Sequence, residues 1–166
     1  MSKGTAKTNA MRMLDRAGIA YRSCTYEIGD EEFCGEAVAR LVGIEPERAF
    51  KTLVAKGEKR GYVVFVIPVD REVDLKAAAA VAGDKRVELV HTKELLGLTG
   101  YVRGGVSPVG MKKQFPTFVD QSALEHEEIG ISGGMKGCQL LLKPAELIRF
   151  IDGKPADLCR KVGGEF

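Results

Sequence analysis

Ala49-Phe50-Lys51-Thr52-Leu53-Val54-Ala55 has the composition of a short buried strand, because apolar and β-branched residues crowd it and turn-forming residues flank it. Lys51 does not suit such a strand. The two-residue period of a strand places it on the same face as Leu53 and Ala55, so its ammonium must reach water, pair with an acid or line a polar cavity. Two interpretations stay open here: Lys51 faces solvent on a half-exposed strand, or it points into a functional cleft.

Length and composition indicate one globular domain over residues 1–166. The chain is 45% hydrophobic and 29% charged, which is ordinary for a soluble protein. Its longest apolar runs, Tyr62 to Val69 and Ala77 to Ala82, are too short to cross a bilayer, so we expect no membrane association. The first residues lack the apolar core of a secretory signal, which favours a cytoplasmic location.

The cysteines show no spacing typical of a metal site. None of the four forms a C-x-x-C pair, and the chain has only two histidines to assist them. We therefore predict no metal and no cofactor, and expect free thiols, at least two of them buried as small hydrophobic side chains. A catalytic Cys–His pair stays possible, since such partners meet in space rather than in sequence. The residues concerned are Cys24, Cys34, Cys138, Cys159, His91 and His126.

The net charge of +2 is nearly balanced. Tight binding to a nucleic-acid backbone needs many uncompensated Lys and Arg contacts, and this composition supplies few of them. If the protein acts on a nucleic acid, it is expected to contact one end of it or to rely on a partner for the remainder.

Hydrophobic periodicity predicts helices alternating with strands, and hence a mixed α/β fold. Aspartate or threonine caps, proline at first helical positions and glycine stops mark the helix ends. The last dozen residues look polar and frayed. Helices are predicted over Lys7–Ala17, Gly35–Val42, Asp74–Ala82 and Pro144–Ile151, and strands over Ala20–Tyr26, Ala49–Ala55, Tyr62–Pro68, Arg86–Val90, Thr117–Asp120, Glu128–Ser132 and Cys138–Leu142.

Two glycine-rich segments are the other unusual features. Residues 100–110 carry four glycines and a proline in eleven positions, and residues 132–137 have the sequence Ser-Gly-Gly-Met-Lys-Gly after a predicted strand. Such loops expose backbone N–H groups, which can form an anion-binding site or an oxyanion hole. The simpler alternative is a tight turn between two strands. The Walker phosphate-loop spacing is not present.

These motifs together resemble the YbaK family of Cys-tRNA(Pro) deacylases, relatives of the editing domain of bacterial prolyl-tRNA synthetases. The motifs are Phe50-Lys51-Thr52-Leu53, then Gly104-Gly105-Val106-Ser107-Pro108 with Gly110, then Ser132-Gly133-Gly134 with Gly137. The resemblance extends from about Lys7 to Ile151. It implies a mixed α/β domain on a curved, barrel-like sheet with surrounding helices and the site in a cleft.

The resemblance also implies a substrate and a set of site residues. The substrate would be cysteine wrongly esterified to the 3′ end of the proline tRNA, and Lys51 matches the family's essential lysine. One of the pocket residues named next, Phe33, has an alternative interpretation, in which its ring only covers the hydrophobic core. Residues that match substrate-pocket positions are Tyr26, Phe33, Thr52, Gly104, Gly105, Ser107, Ser132 and Gly133.

Two departures from the family pattern lie just beyond the second glycine loop. Cys138 stands where an aliphatic residue is usual, and Met135 where a basic residue is frequent. Because of their position, these departures put in doubt the match of the outer pocket wall to the family, but not the match of Lys51.

The chemistry implied by the family needs no protein nucleophile. The substrate's own thiolate would attack its carbonyl, and the enzyme would hold that geometry and stabilise charge. Two alternatives stay open: a deacylase of the same fold that edits another small amino acid such as alanine with activated water, and a module that binds aminoacyl-tRNA ends or nucleotides without turnover.

The expected partners follow from the family and from the charge. The aminoacylated 3′ end of tRNA is the substrate, and a transient complex with prolyl-tRNA synthetase would supply tRNA specificity. The sequence leaves the oligomeric state undetermined, with a monomer favoured.

Overall fold

The structure, a computed structural model, describes residues 7–27 and 35–160. Helices and strands alternate along this part of the chain, with short 3₁₀ turns at Pro46–Arg48, Thr92–Glu94 and Gln121–Glu125. The helices are α1 (Asn9–Ala17), α2 (Gly35–Val42), α3 (Leu75–Ala82), α4 (Leu95–Thr99) and α5 (Pro144–Phe150). The strands are β1 (Tyr21–Thr25), β2 (Phe50–Gly57), β3 (Gly61–Pro68), β4 (Val87–Leu89), β5 (Thr117–Asp120), β6 (Ile129–Ser132), β7 (Cys138–Leu142) and β8 (Lys154–Ala156).

The strands form two sheets. The smaller has the order β1-β7-β6 and is antiparallel, and the larger has the order β4-β2-β3-β5-β8 with parallel pairs at β3–β5 and β5–β8. An isolated parallel bridge between Ala49 and Gly130 connects the two at the start of β2. The predicted mixed α/β fold is thus confirmed, and the predicted curved sheet takes the form of two sheets joined at this bridge.

The β2–β3 hairpin is buried on both faces, and the nearly continuous apolar sequence of its strands is typical of such burial. Phe50, Val54 and Val64 pack into the larger core with β6 and β7. Phe65 and Ile67, on the other face, pack against α3 in a second core. Complete burial of each such side chain stabilises the fold by about 1.5–3 kcal/mol, so this hairpin is the central element of the molecule.

The helix ends follow the predicted caps. Thr8 Oγ1 accepts a hydrogen bond from the Met11 backbone N–H at 3.1 Å, and α1 begins at Asn9, two residues after the predicted start. The Asp74 carboxylate accepts from the backbone N–H groups of Lys76 and Ala77 at the start of α3. None of the helices in residues 7–27 and 35–160 is long and apolar enough to span a membrane.

The expectation of a frayed end is wrong for residues 155–160. Strand β8 pairs in parallel with β5, and Cys159 bridges to Val73. Leu158 is completely buried in the second core, where its backbone N–H donates to Asp120 at 3.0 Å. Apolar burial outweighed the polar composition of this segment. Residues 161–166 lie outside the described part of the chain.

The prediction of buried free thiols is confirmed for Cys138 and Cys159. Burial, reinforced by the nearby Asp120 carboxylate, raises the pKa of Cys159 to about 12, so this side chain stays a thiol at physiological pH. Cys34 falls outside the described residues.

Candidate functional site

Lys51 lies beside an open edge of the larger sheet. It pairs with Ile67 of β3 on one side, whereas β4 pairs with β2 only at Ala55–Gly57 on the other. The first half of β2 therefore has an unpaired edge, and a cleft of about 560 Å³ opens along it. Lys51 is half-buried and lines this cleft.

Both glycine loops reach the same cleft. The first loop (residues 100–110) contributes Arg103, Gly104 and Val106, and Ser132 stands at the start of the second loop (residues 132–137). The remaining walls come from α2, the start of β2, the residue that follows β3, the segment from β4 to α4, and β7. Those lining residues are Val38, Ala49, Phe50, Thr52, Leu53, Val54, Val69, Leu89, Val90, Thr92, Leu95 and Gln139.

The two loops touch each other, and glycine makes this approach possible. A Cβ atom on Gly105 would lie 2.9 Å from the backbone Cα of Met135, closer than nonbonded carbon atoms approach. Gly104 has φ of +87°, a conformation that side chains other than glycine rarely adopt. The two loops thus contact each other on one side of the cleft.

Among the described residues, the charged groups that line the cleft are all positive. Lys51 and Arg103 are the charged residues that line it, and neither forms a salt bridge with any described residue. No Asp, Glu, Cys or His is present among the described lining residues. The arrangement therefore favours an anionic ligand, to which it offers hydrogen bonds and positive charge.

Hydroxyl groups around the cleft have unused hydrogen-bonding capacity. Thr52 Oγ1 and Tyr26 Oη are buried without a hydrogen-bond partner of good geometry in the described structure. Ser132 Oγ accepts from the Gly134 backbone N–H at 3.1 Å, which leaves its own proton available to donate. Burial raises the pKa of Tyr26, and weaker interactions with Gly137 and Gln139 oppose the rise, so its phenol stays protonated at neutral pH. A buried hydroxyl group without a hydrogen-bond partner lowers the stability of the fold, unless a bound ligand supplies the missing hydrogen bond.

Some predicted site residues have structural contacts instead of positions on the cleft wall. Ser107 is completely buried, and its Oγ accepts from the Val109 N–H at 3.2 Å. The backbone N–H of Gly105 donates to Val102 at 2.8 Å, and that of Gly133 donates to Cys138 at 2.9 Å. These two N–H groups are therefore engaged within the chain. Contact with substrate stays a prediction for all three residues.

The structure thus brings together Lys51, Thr52, Gly104 and Ser132 around one cleft, with Tyr26 buried near Gln139. Phe33 falls outside the described residues, so its two interpretations, core plug or pocket wall, stay open. A site role for each of these residues stays a prediction.

Sequence reasoning missed Arg103 and Gln139 as cleft residues. Gln139 is buried and lies opposite Ser132 in the β6–β7 ladder. A detectable signal existed, because Gln139 is a polar residue in the apolar strand Cys138–Leu142, as Lys51 is in β2. Arg103 gave no such signal, since an exposed charged residue in a glycine-rich loop is ordinary.

The protein thus falls in the class of small α/β domains with a cleft that carries positive charge, a setting that suits an anionic ligand. Comparison with known proteins identifies the family. Residues 34–150 match the model of the aminoacyl-tRNA editing domain. The chain belongs to this family, as its motifs indicated.

Individual relatives agree with the family. A protein of Enterococcus faecalis named "Putative Cys-tRNA(Pro)/Cys-tRNA(Cys) deacylase EbsC" is 43% identical over 159 residues, which cover 96% of this chain and 97% of that protein. A solved structure described as "a putative trans-editing enzyme for prolyl tRNA synthetase" has a TM-score of 0.82 and 26% identity, with 95% of this chain and all of that chain covered. The proline–tRNA ligase of Thermosipho melanesiensis is 30% identical over 101 residues, 61% of this chain but 17% of the ligase.

Proposed function

We propose that the protein is a trans-editing deacylase that removes cysteine from mischarged Cys-tRNA(Pro), with Cys-tRNA(Cys) as a second candidate substrate. Membership of the aminoacyl-tRNA editing family supports the reaction class. The relative from E. faecalis, which aligns over nearly its whole length, bears this substrate pair in its name.

One structural observation carries the proposal. The cleft joins a half-buried lysine to residues of both glycine loops, and the charged side chains among its described lining residues are cationic. The acceptor end of a tRNA has phosphate groups, ribose hydroxyls and an ester, so cations and hydroxyl groups complement it.

The lining suits a reaction in which the substrate supplies the nucleophile. The thiolate of the cysteinyl group attacks its own ester carbonyl, the bond from that carbon to the ribose oxygen breaks, and the thiol proton finally resides on the ribose oxygen. The products are free tRNA and cysteine thiolactone. Holding the thiolate against the carbonyl contributes several kcal/mol of barrier reduction, of order 7–11 kcal/mol in ideally oriented cases.

Each proposed site residue has a defined task. The Lys51 ammonium holds the phosphate or ribose region of the terminal adenosine and stabilises negative charge that develops on the carbonyl and leaving oxygens. Tyr26, Thr52 and Ser132 supply hydroxyl groups to the aminoacyl end, and Phe33 packs on the substrate. The loop segments Gly104-Gly105-Val106-Ser107 and Ser132-Gly133 shape the wall around it.

A deacylation assay on a panel of aminoacyl-tRNAs tests the proposal. Release from Cys-tRNA should exceed release from Ser-tRNA by roughly tenfold or more, because a hydroxyl of nearly the same shape is a far poorer nucleophile. Equal turnover of the two would eliminate the substrate-thiol route. Preferential turnover of Ala-tRNA would favour the alternative deacylase that activates water. Release that stops at an amount proportional to the protein present, without multiple turnover, would favour a binding module.

The same assay with a lysine variant tests the site. Lys51→Ala should lower the rate constant by about a hundredfold, in line with removal of one charge-stabilising group. Lys56→Ala is the matched control, because Lys56 lies exposed on the same strand and does not line the cleft. If the two variants deacylate at the same rate, the cleft is not the site of chemistry.

The proposal includes a transient complex with prolyl-tRNA synthetase, in the cytosol and with a monomeric deacylase. With a net charge of only +2, the isolated protein should bind tRNA weakly and distinguish whole tRNAs poorly. Adding the synthetase should sharpen its preference for the proline tRNA. Strong discrimination by the isolated protein would contradict this part of the proposal.

A further inference from the structure

Arg103 stands at the rim of the cleft on a segment that is held in place. Tyr101, two residues earlier, donates its hydroxyl proton to the Val109 carbonyl at 2.6 Å across the base of the first loop. Two residues later, Gly105 packs against the backbone of Met135 in the second loop. The arginine side chain is exposed, and the contacts on either side of it join its backbone to both glycine loops.

The electrostatic setting of Arg103 differs from that of the arginines that form salt bridges in the structure. Those bridges join Arg22 to Glu128 at 2.7 Å, Arg160 to Glu72 at 3.2 Å and Arg48 to Glu45 at 3.4 Å. Arg103 has no such partner among the described residues, and no described carboxylate lines the cleft that it shares with Lys51. Within the described part of the chain its charge is therefore uncompensated, at the entrance to a cleft where the field of nearby charges is focused.

The chemistry of the guanidinium narrows the choice of ligand. Its planar fork of N–H donors matches the paired oxygens of a phosphate, and it stays charged at every physiological pH. Lys51, in contrast, is a point charge anchored in a strand and half-buried deeper along the cleft wall. The two cations thus suit two different parts of one anionic ligand.

We propose that Arg103 binds a backbone phosphate of the single-stranded 3′ end of the tRNA and thereby positions the terminal aminoacyl-adenosine for Lys51. This inference rests on the proposed function and adds a residue to it. Arg103 contributes to binding equally in the ground state and in the transition state, whereas Lys51 acts on charge that develops during the reaction.

The two roles predict different kinetic signatures. Arg103→Ala should raise KM for Cys-tRNA by roughly tenfold, the usual effect of losing one charge-assisted hydrogen bond, with kcat within about twofold of the unmodified protein. The slope of log KM against log salt concentration should fall by about one unit, because one phosphate contact is lost. Arg103→Lys should restore the salt slope and only part of the affinity, since it keeps the charge but loses the fork.

Lys113→Ala is the matched control. Lys113 is exposed shortly after the first loop and does not line the cleft. The proposal is overturned if Arg103→Ala and Lys113→Ala give the same KM and the same salt slope. It is also overturned if Arg103→Ala lowers kcat a hundredfold with KM unchanged, because Arg103 would then act in the chemical step.

A binding measurement separates this inference from the proposed reaction. Fluorescence anisotropy with a labelled, non-acylated RNA hairpin that ends in single-stranded CCA reports the phosphate contact without any turnover. Weaker binding by Arg103→Ala than by Lys113→Ala supports the inference even if the protein deacylates no substrate in the panel. Equal binding by both variants, together with normal deacylation, overturns the inference and leaves the proposed function intact.

Discussion

At the scale of single residues, Gly105 lies where an added Cβ atom would meet backbone atoms rather than a side chain. Replacement by alanine would place a Cβ atom 2.9 Å from the Met135 backbone, and a backbone segment cannot move aside as a flexible side chain can. We expect Gly105→Ala to lower the free energy of unfolding by about 1–3 kcal/mol and to weaken substrate binding as the loops separate. Denaturant unfolding and KM measure the two effects.

Gly97 provides the control for this prediction. It lies exposed in α4, and a methyl group added there would have no atom within 4 Å, so alanine meets no obstacle. Because alanine favours helix over glycine, Gly97→Ala should be neutral or stabilising by up to about 1 kcal/mol, with unchanged KM. Equal behaviour of the two variants would mean that the contact between the loops has no energetic consequence.

The sequence identified Lys51 because a charged residue in an apolar strand conflicts with its surroundings. Gln139 carries the same conflict in β7 and could have been found by the same reasoning. The engaged N–H groups of Gly105 and Gly133 could not be foreseen, since glycine content indicates an exposed backbone but not which carbonyl it meets.

At the scale of secondary-structure elements, Asp84 connects the β2–β3 turn to the start of the segment that leads into β4. Its carboxylate accepts from the backbone N–H groups of Arg60 at 2.8 Å and Lys85 at 2.7 Å, and also from Lys59. Gly57 leaves the space for this contact, because a Cβ there would overlap the carboxylate. The Asp84 side chain thus connects the β2–β3 turn, through hydrogen bonds, to the segment between α3 and β4.

This contact predicts a pH dependence of stability. Desolvation raises the pKa of Asp84, but the backbone N–H donors outweigh it and hold the pKa below its ordinary value of 3.8. A lowered pKa in the folded state stabilises the protein above the unfolded-state pKa, and that stability is lost as the pH falls through the folded-state pKa. Asp84→Asn should therefore be less stable than the unmodified protein at neutral pH, with the difference shrinking toward about pH 3. Thermal unfolding at both pH values measures this, and a difference that grows on acidification would contradict it.

Hairpins and capped helices were predictable because their signals are local. The range Gly35–Val42 for α2 and the strands Thr117–Asp120 and Cys138–Leu142 agree with the structure residue by residue. Strand β8 was missed because it has three residues, one of them proline, and its pairing partner β5 lies far away in sequence. Tertiary contacts, rather than local propensity, stabilise such a strand.

At the scale of the whole molecule, the segment that was expected to fray closes the second core. Leu158 is completely buried there beside Phe65 and Ala78. Leu158→Ala should lower the free energy of unfolding by about 2–5 kcal/mol, as removal of a buried leucine leaves a cavity. Leu124→Ala is the control, because Leu124 is 50% exposed and its loss should cost about 0.5 kcal/mol. A similar small loss for both variants would show that residues 155–160 do not contribute to the core.

The junction between the two sheets is a property of the whole chain that periodicity could not supply. It depends on the Ala49–Gly130 bridge, which brings together residues from distant parts of the sequence. Family resemblance predicted the mixed α/β class and a cleft, and the structure adds where the open edge of β2 lies.

Because the β2–β3 hairpin packs against both cores, neither core can open without exposing one of its faces. The amide protons hydrogen-bonded between these strands should therefore exchange with deuterium only when the entire molecule unfolds, and more slowly than those of α4 or β8. Lys51 would then lie on a strand that opens only when the whole protein unfolds, so the substrate meets a cation that is already in position.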